Sequence, residues 1–144
     1  MPLSVVIPQA RSVKNASIVP ATAYTASDTA GPFPVDFFSS AEIFVAVTSC
    51  SGTLNVYVQK RLPDDTTYGD IAAFSQWATA VFTTSGGKTL SFVNGGNTLL
   101  TETEAALTAN TVNTVHFGSY WRVKYVIAGT NATVTFGVTG SFRE

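Results

Sequence analysis

Strict alternation between apolar and more polar residues, repeated over two long stretches, constrains the fold of this chain more than any other feature. In the first stretch Ile43, Val45 and Val47 occupy every second position, and the alternation resumes over residues 54–61 after a Ser51-Gly52 turn. Successive side chains of a β-strand point to opposite faces, so a period of two residues is typical of a half-buried strand. The pattern predicts two strands joined by a tight turn.

The second stretch, residues 120–142, predicts a β-hairpin whose loop is residues 128–131. Its apolar positions are Trp121, Val123, Tyr125 and Ile127 before the loop, and Ala132, Val134, Phe136, Val138 and Phe142 after it. The outward faces of the two strands differ, because the first is cationic and aromatic while the second is almost entirely Thr and Ser. Alternation of this length indicates two half-buried strands.

Two further segments are less regular. Residues 70–82 place Ile71, Phe74 and Trp77 on one side of a helix with Asp70 as its N-cap, but the segment also partly alternates, and the surrounding strands favour a strand. Residues 101–107 match a capping box and predict one helical turn. Together the runs predict an all-β fold, a single sandwich or jelly-roll-like domain of about eight antiparallel strands.

The N-terminal region differs from the rest of the chain. Prolines stand at positions 2, 8, 20, 32 and 34, and each removes a backbone donor, which disfavours central strands. Between them lie short apolar pieces that contain Val5, Val6, Ile7 and Ile18. We therefore expect an extended arm or edge strands over residues 1–36, partly paired with the body and partly reaching a neighbour, and a β-sandwich over residues 37–144.

The low charge of the chain bears on its partners. Charged residues make up 12 % of the sequence, about half the usual fraction, and the formal net charge is −1. The cations form no basic stripe, so we expect no nucleic-acid binding. No apolar run has the length of a membrane span, and the start of the chain lacks the features of a signal peptide, which predicts synthesis in a cytoplasm. A weakly charged surface suits a protein that packs against copies of itself or a larger assembly.

The side chains that carry catalysis are scarce. His116 is the only histidine, and Cys50 is the only cysteine, which its apolar neighbours predict to be buried. Asp64, Asp65 and Asp70 flank a turn, which they are expected to stabilise, with calcium binding as the alternative. Glu102 and Glu104 lie in a Thr-rich segment and are expected to cap a turn rather than to form a glycosidase pair. We expect no enzyme, no metal and no cofactor.

Exposed aromatic and apolar side chains are the remaining candidates for a site. Aromatic residues are enriched in protein interfaces and also in sugar-binding clefts. The predicted interface residues, from the N-terminal segment and the outward strand faces, are Val5, Val6, Ile7, Ile18, Tyr57, Trp77 and Tyr120.

Two stretches together resemble small virion proteins of tailed bacteriophages, which include head and tail structural proteins. The first runs GTLNVYVQ and LPDDTTYGDIAAF over residues 52–74, and the second runs YWRVKYVIAGT and VTFGVTG over residues 120–140. The resemblance covers roughly residues 41–82 and 118–142 and is one of strands and turns. The N-terminal arm and residues 97–110 fall outside it.

The resemblance implies a β-sandwich component of the virion. Among such roles we favour a capsid decoration protein that binds the major capsid protein or other virion proteins in many copies, with a trimer as the favoured homo-oligomer. The arm over residues 1–36 would tie neighbours together. The alternatives are a tail or head–tail junction protein and a carbohydrate- or receptor-binding module.

Overall fold

The computed structural model describes residues 3–5, 13–79, 86–93, 109–112 and 117–144, and in this part of the chain every regular element is a β-strand. The prediction of an all-β fold is confirmed. The strands are β1 (Val13–Tyr24), β2 (Asp28–Pro34), β3 (Ser40–Arg61), β4 (Tyr68–Ala73), β5 (Trp77–Ala78), β6 (Gly86–Val93), β7 (Thr111–Val112) and β8 (Tyr120–Arg143).

Strands β3 and β8 form the centre of a single antiparallel sheet. They pair along almost their whole length, from Ser40 opposite Arg143 to Lys60 opposite Trp121. On its other side β8 pairs with β2 and β1, and β3 pairs with β6, β5 and β4 in succession, while β7 adds to β4. Every shorter strand therefore depends, directly or through β4, on the β3–β8 pair.

The two long strands fold back on themselves. Trp121 and Phe142 are about 20 residues apart in β8, a length that would span ~70 Å if the strand were straight. Their ring centroids are only 6.5 Å apart, and those of Tyr125 and Phe136 are 5.2 Å apart. The sheet therefore bends sharply and its halves face each other through side chains, as in a β-arch. This is a β-sandwich-like architecture.

The predicted hairpin at the C-terminus is wrong in its pairing. The chain does reverse near the predicted loop at residues 128–131, but the two halves of β8 each pair with β3 and not with each other. The turn at Ser51-Gly52 likewise bends β3 without pairing its halves. Hairpins and arches share the same alternation of apolar residues, because both bury one strand face, so the pattern alone does not distinguish them.

The bend defines two layers. Layer A contains the strands β2, β4, β5 and β7, together with residues 53–61 of β3 and residues 120–127 of β8. Layer B contains the strands β1 and β6, together with residues 40–51 of β3 and residues 133–143 of β8. Large side chains from both layers fill the space between them, including Phe33, Trp121, Phe136 and Phe142, all fully buried. The sandwich interior is mainly aromatic and β-branched, as expected for strands packed face to face.

Glycines at the bend explain how the strands turn so sharply. Gly52 and Gly129 both have positive φ, +92° and +124°, which residues with a side chain rarely adopt. A Cβ on Gly52 would lie 2.3 Å from the carbonyl oxygen of Ala128. The hydroxyl of Thr79 accepts a hydrogen bond from the Gly52 amide at 2.6 Å and donates one to the Cys50 carbonyl at 3.0 Å. The two chain segments thus touch backbone to backbone at this corner.

The N-terminal region contributes two strands to the sheet. β1 lies along the layer B half of β8, and β2 lies along the layer A half. Leu3 forms a parallel bridge to Ala30, in which the Leu3 amide donates to the Thr29 carbonyl at 3.0 Å. Residues 6–12 lie outside the described part of the chain.

The ambiguous segment that follows Asp70 is extended. Residues 70–73 belong to β4 and residues 77–78 form β5, so the strand prediction is confirmed there and the helical alternative is wrong. Phe82 and the predicted helical turn at residues 101–107 lie outside the described residues.

Candidate interaction surface

The outer face of layer A carries cations and tyrosines on three neighbouring strands. Alternate residues of β3 and β8, such as Val58 and Val123, are fully buried, so the residues between them point outward. Tyr57 stands opposite Lys124, Gln59 opposite Arg122 and Asp70, and Arg61 opposite Tyr68. We call this surface the cation–tyrosine face; it comprises Tyr57, Gln59, Arg61, Tyr68, Asp70, Tyr120, Arg122 and Lys124.

Arg122 is held at the centre of this face. Its guanidinium carbon lies 3.8 Å from the ring centroid of Tyr68, and its Nε donates to Gln59 Oε1 at 2.7 Å. Gln59 in turn donates from Nε2 to Asp70 Oδ1 at 2.7 Å. Gln59 is only 5 % exposed, although its place in the alternation predicts an outward side chain. Partial burial lowers the pKa of Arg122, although a guanidinium stays charged at neutral pH.

Arg61 and Lys124 are also positioned by tyrosines. The guanidinium carbon of Arg61 lies 4.4 Å from the Tyr120 ring centroid, and its Nε donates to the Tyr68 hydroxyl at 3.2 Å. This hydrogen bond raises the pKa of Arg61. Lys124 Nζ lies 5.8 Å from the ring of Tyr57. Cation–π contacts of this kind orient a cation without removing its charge.

The positive charge of the face is not cancelled by ion pairs. Within the described part of the chain, Arg61, Arg122 and Lys124 form none. Asp70 is the carboxylate of the face and accepts from Gln59. Asp64 and Asp65 lie nearby in the turn between β3 and β4. The face itself holds three cations and one carboxylate, and its excess of positive charge is partly offset by the electrostatic attraction of Asp70 to Arg122 and of Asp65 to Arg61.

The outer face of layer B is chemically different. Its outward positions on β1 and β8 carry small uncharged polar side chains: Asn15, Ser17, Thr133, Thr135, Thr139 and Ser141. On the adjacent β3, Glu42 and Phe44 point outward, and Phe44 is 41 % exposed. We call this surface the threonine–serine face, defined by these eight residues. The contrast between the two outer faces confirms the uneven strand faces predicted from the sequence.

The predicted interface residues are not gathered in one place. Tyr57 and Tyr120 belong to the cation–tyrosine face, and Val5 is half-buried against the core. Ile18 and Trp77 are 1 % and 5 % exposed, so the expectation that they lie on the surface of the domain is wrong. Val6 and Ile7 lie outside the described residues.

The two wrong assignments have a common cause. Ile18 lies on the inner side of β1, and Trp77 packs on Phe74 with the ammonium group of Lys88 4.1 Å from its ring centroid. A large apolar side chain is the same in sequence whether it faces a partner or its own core. The residues that sequence reasoning did not name are Arg61, Arg122, Lys124 and Tyr68. The signal for Arg122 and Lys124 was the cationic and aromatic outward face of residues 120–127, a stretch that contains neither Arg61 nor Tyr68.

Two of the carboxylates considered for chemistry, Asp64 and Asp70, accept hydrogen bonds from different partners. Asp64 accepts hydrogen bonds from the amides of Thr66 and Thr67 and from the Thr67 hydroxyl, which lowers its pKa to about 2. This confirms that Asp64 stabilises the turn. Among the described residues, no three His, Cys, Asp or Glu side chains converge on a common point. His116, Glu102 and Glu104 lie outside those residues.

Cys50 is buried beside the bend, as predicted, and its thiol donates weakly to the Gly52 carbonyl at 3.6 Å. Burial raises the pKa of this thiol, which keeps it protonated at neutral pH.

In the described part of the chain no helix is long and apolar enough to span a membrane. The sequence matches no protein-family model and no curated protein.

Proposed function

We propose that this chain is a non-enzymatic structural protein of a tailed-phage virion, a decoration protein that binds the capsid shell and stabilises it. The observation that carries the proposal is the presence of two broad outer faces of different chemistry on one scaffold, the cation–tyrosine face and the threonine–serine face. Such a molecule can contact two different neighbours at once, which is what a protein laid across the joints of a shell must do.

The scaffold is suited to this role because it presents its faces on strands and not on loops. Side chains on packed strands keep their positions better than side chains on loops, so less entropy is lost when a partner binds. Each contact can be weak, since many symmetric copies acting together multiply the effect of each one. We propose a homo-oligomer, with a trimer favoured, in contact with the major capsid protein.

The resemblance to small virion proteins supports the proposal at the level of elements. The stretches that carry it, residues 41–82 and 118–142, contain nearly all of β3 and β8 together with β4 and β5. All eight residues of the cation–tyrosine face lie in the stretches that carry the resemblance.

The test is the composition of purified virions and a binding assay. We expect mass spectrometry of virions from the phage that encodes this chain to find it in many copies, in the head fraction. Added to capsids that lack it, the purified protein should bind them and raise the temperature at which they disassemble. Its absence from virions would refute the proposal, and its presence in tails or at the head–tail junction would replace decoration by that role.

The N-terminal segment is a second part of the proposal, with its own test. Deleting residues 1–12 leaves the whole of β1 in place and should give a folded domain that binds capsids more weakly, because the segment is proposed to reach a neighbour. Circular dichroism checks the fold, and capsid binding at equal concentration checks the function. Equal binding by the shortened and full-length proteins would show that the segment has no such role.

A carbohydrate-binding role has less support. Sugar rings bind by stacking on aromatic faces. The rings of Tyr68 and Tyr120 are already stacked by Arg61 and Arg122, which leaves less ring surface for a sugar.

A further inference from the structure

We infer that the cation–tyrosine face is the docking surface of this protein, and that its occupant is a carboxylate-rich segment of a partner protein. The inference deepens the proposed function, on which it rests for the identity of the partner as a capsid protein. Its physical basis lies in the donors that the face leaves unused.

The unused donors are the terminal nitrogens of the two arginines. Arg61 and Arg122 each donate from Nε to a neighbouring side chain, and within the described chain neither side chain forms any other hydrogen bond or an ion pair. In that same part of the chain, no buried side-chain nitrogen or oxygen lacks a partner. The Nη atoms of both arginines are therefore not fully buried and remain available as donors.

The arginines are also held in place before any partner arrives. Arg122 is stacked on Tyr68, and Arg61 lies over Tyr120. A guanidinium group fixed in this way presents a planar pair of donors that matches the two oxygens of a carboxylate. Because both long side chains are already ordered in the free protein, they lose little conformational entropy when a partner binds. Lys124, on the same face, adds a third positive charge without an ion pair among the described residues.

Protein carboxylates fit this face better than a nucleic-acid backbone. A phosphate backbone is bound by a row of cations along its path. Here Arg61, Arg122 and Lys124 lie on two adjacent strands, β3 and β8, and each cation is in contact with a tyrosine ring. Tyrosine and arginine are among the residues that contribute most to binding in protein interfaces. The chemistry therefore favours an acidic protein segment that places single carboxylates on the arginines.

The experiment uses the full chain and poly-L-glutamate as the probe. Titration of isotope-labelled protein with a short poly-L-glutamate peptide should shift the backbone amide signals of Tyr57, Arg61 and Arg122 in NMR spectra. The double variant Arg61→Gln/Lys124→Gln should weaken binding by about tenfold or more. Arg143→Gln is the control for position, because Arg143 is an exposed cation of β8 in layer B, away from the face, and its loss of one charge matches that of Lys124→Gln alone. Its Kd should equal that of the wild type.

Three results would overturn the inference. These are signal shifts confined to another surface, equal weakening by Arg143→Gln, and no binding to poly-L-glutamate at low ionic strength. Double-stranded DNA of similar length is a parallel probe, and tighter binding to DNA with the same dependence on Arg61 would replace the carboxylate partner by a nucleic acid. If the double variant does not fold, Lys124→Gln alone carries the test, with an expected loss of binding that Arg143→Gln does not show.

The outcome is independent of the proposed function. If virions lack the protein but the face binds poly-L-glutamate, the inference stands and the capsid role fails. If virions contain the protein and charge changes on the face leave binding to poly-L-glutamate intact, the capsid role stands and the inferred docking surface is wrong.

Discussion

Two carboxylates that flank the same turn stabilise different features of this molecule. Asp64 accepts three hydrogen bonds within the turn between β3 and β4, whereas Asp70 accepts from Gln59 on the cation–tyrosine face. The partners of Asp64, Thr66 and Thr67, are close to it in sequence, whereas the partner of Asp70, Gln59, lies across a strand pair. At the scale of single residues, the polar groups of this protein are thus divided between closing turns and arranging an outer face.

The role of Asp64 predicts a pH dependence. Its hydrogen bonds lower the carboxyl pKa from 3.8 to about 2, so they stabilise the ionised form in the folded state. That stabilisation is present above the ordinary pKa and is lost as the pH falls towards 2. Asp64→Ala should therefore lower the Tm at neutral pH, and the difference from the wild type should shrink as the pH is lowered from 4 to 2.

Asp36→Ala serves as the matched control for this prediction. Asp36 is an exposed aspartate outside the strands, so the substitution makes the same charge change without removing the turn bonds. Its Tm should stay close to that of the wild type at neutral pH. A difference for Asp64→Ala that remained constant across the acidic range would contradict the assigned role of the carboxylate.

The two long strands of this protein share one feature: each bends sharply and continues into the second layer. β3 bends near Gly52 and β8 bends near Gly129, and the two bends meet at the same corner. Because both strands bend together, their backbone pairing is kept on both sides of the corner. Thr79 completes the corner by bonding the Gly52 amide and the Cys50 carbonyl. The two-layer architecture therefore depends on a corner at which position 52 has no room for a side chain.

Gly52→Ala is expected to destabilise this corner. The new Cβ would overlap the carbonyl oxygen of Ala128 and would also strain a backbone with φ of +92°. We expect a loss of at least ~2 kcal/mol in the free energy of unfolding, measured by urea denaturation. Ser51→Ala, at the exposed neighbouring position, is the control and should change stability by less than ~0.5 kcal/mol. Similar stability for the two variants would show that the close approach is not required.

The whole molecule is held together by aromatic packing between the layers. Phe142 contacts Phe33, Phe38 and Trp121, with ring centroids 5.2–6.5 Å apart, and so joins the end of β8 in layer B to strands of layer A. Charges contribute little to this interior, and among the described residues only Gln59 and Lys60 are buried polar or charged groups. The layers are therefore expected to unfold together.

Phe142→Ala tests this cooperativity. Removing a fully buried ring leaves a cavity between the layers, which should cost ~3–5 kcal/mol while leaving a single unfolding transition. Tryptophan fluorescence and circular dichroism should report the same midpoint, because Trp121 lies in the same core. Phe37→Ala, at a position that is 51 % exposed, is the control and should cost much less. Separate midpoints for the two probes would mean that the layers unfold independently.

The class of the fold and the buried side of each strand follow from the residue pattern along the chain. Ile43, Val45 and Val47 lie inside as their alternation predicts, and Asp64 and Cys50 have the local roles that their neighbours in sequence indicated. These properties are local, because the direction of a side chain in a strand depends only on its position in a two-residue period. The cationic and aromatic character of residues 120–127 likewise follows from the residue types at alternate positions.

The pairing of the strands and the contacts between outward residues do not follow from that pattern and depend on the complete fold. The same alternation serves a hairpin and an arch, so the partner of each half of β8 is a property of the whole fold. Tyr68 reaches Arg122 because β4 and β8 both lie beside β3, although the two residues are far apart in sequence. Ile18 and Trp77 look like interface residues in sequence and are core residues in the fold, since burial depends on what packs against a side chain and not on its type.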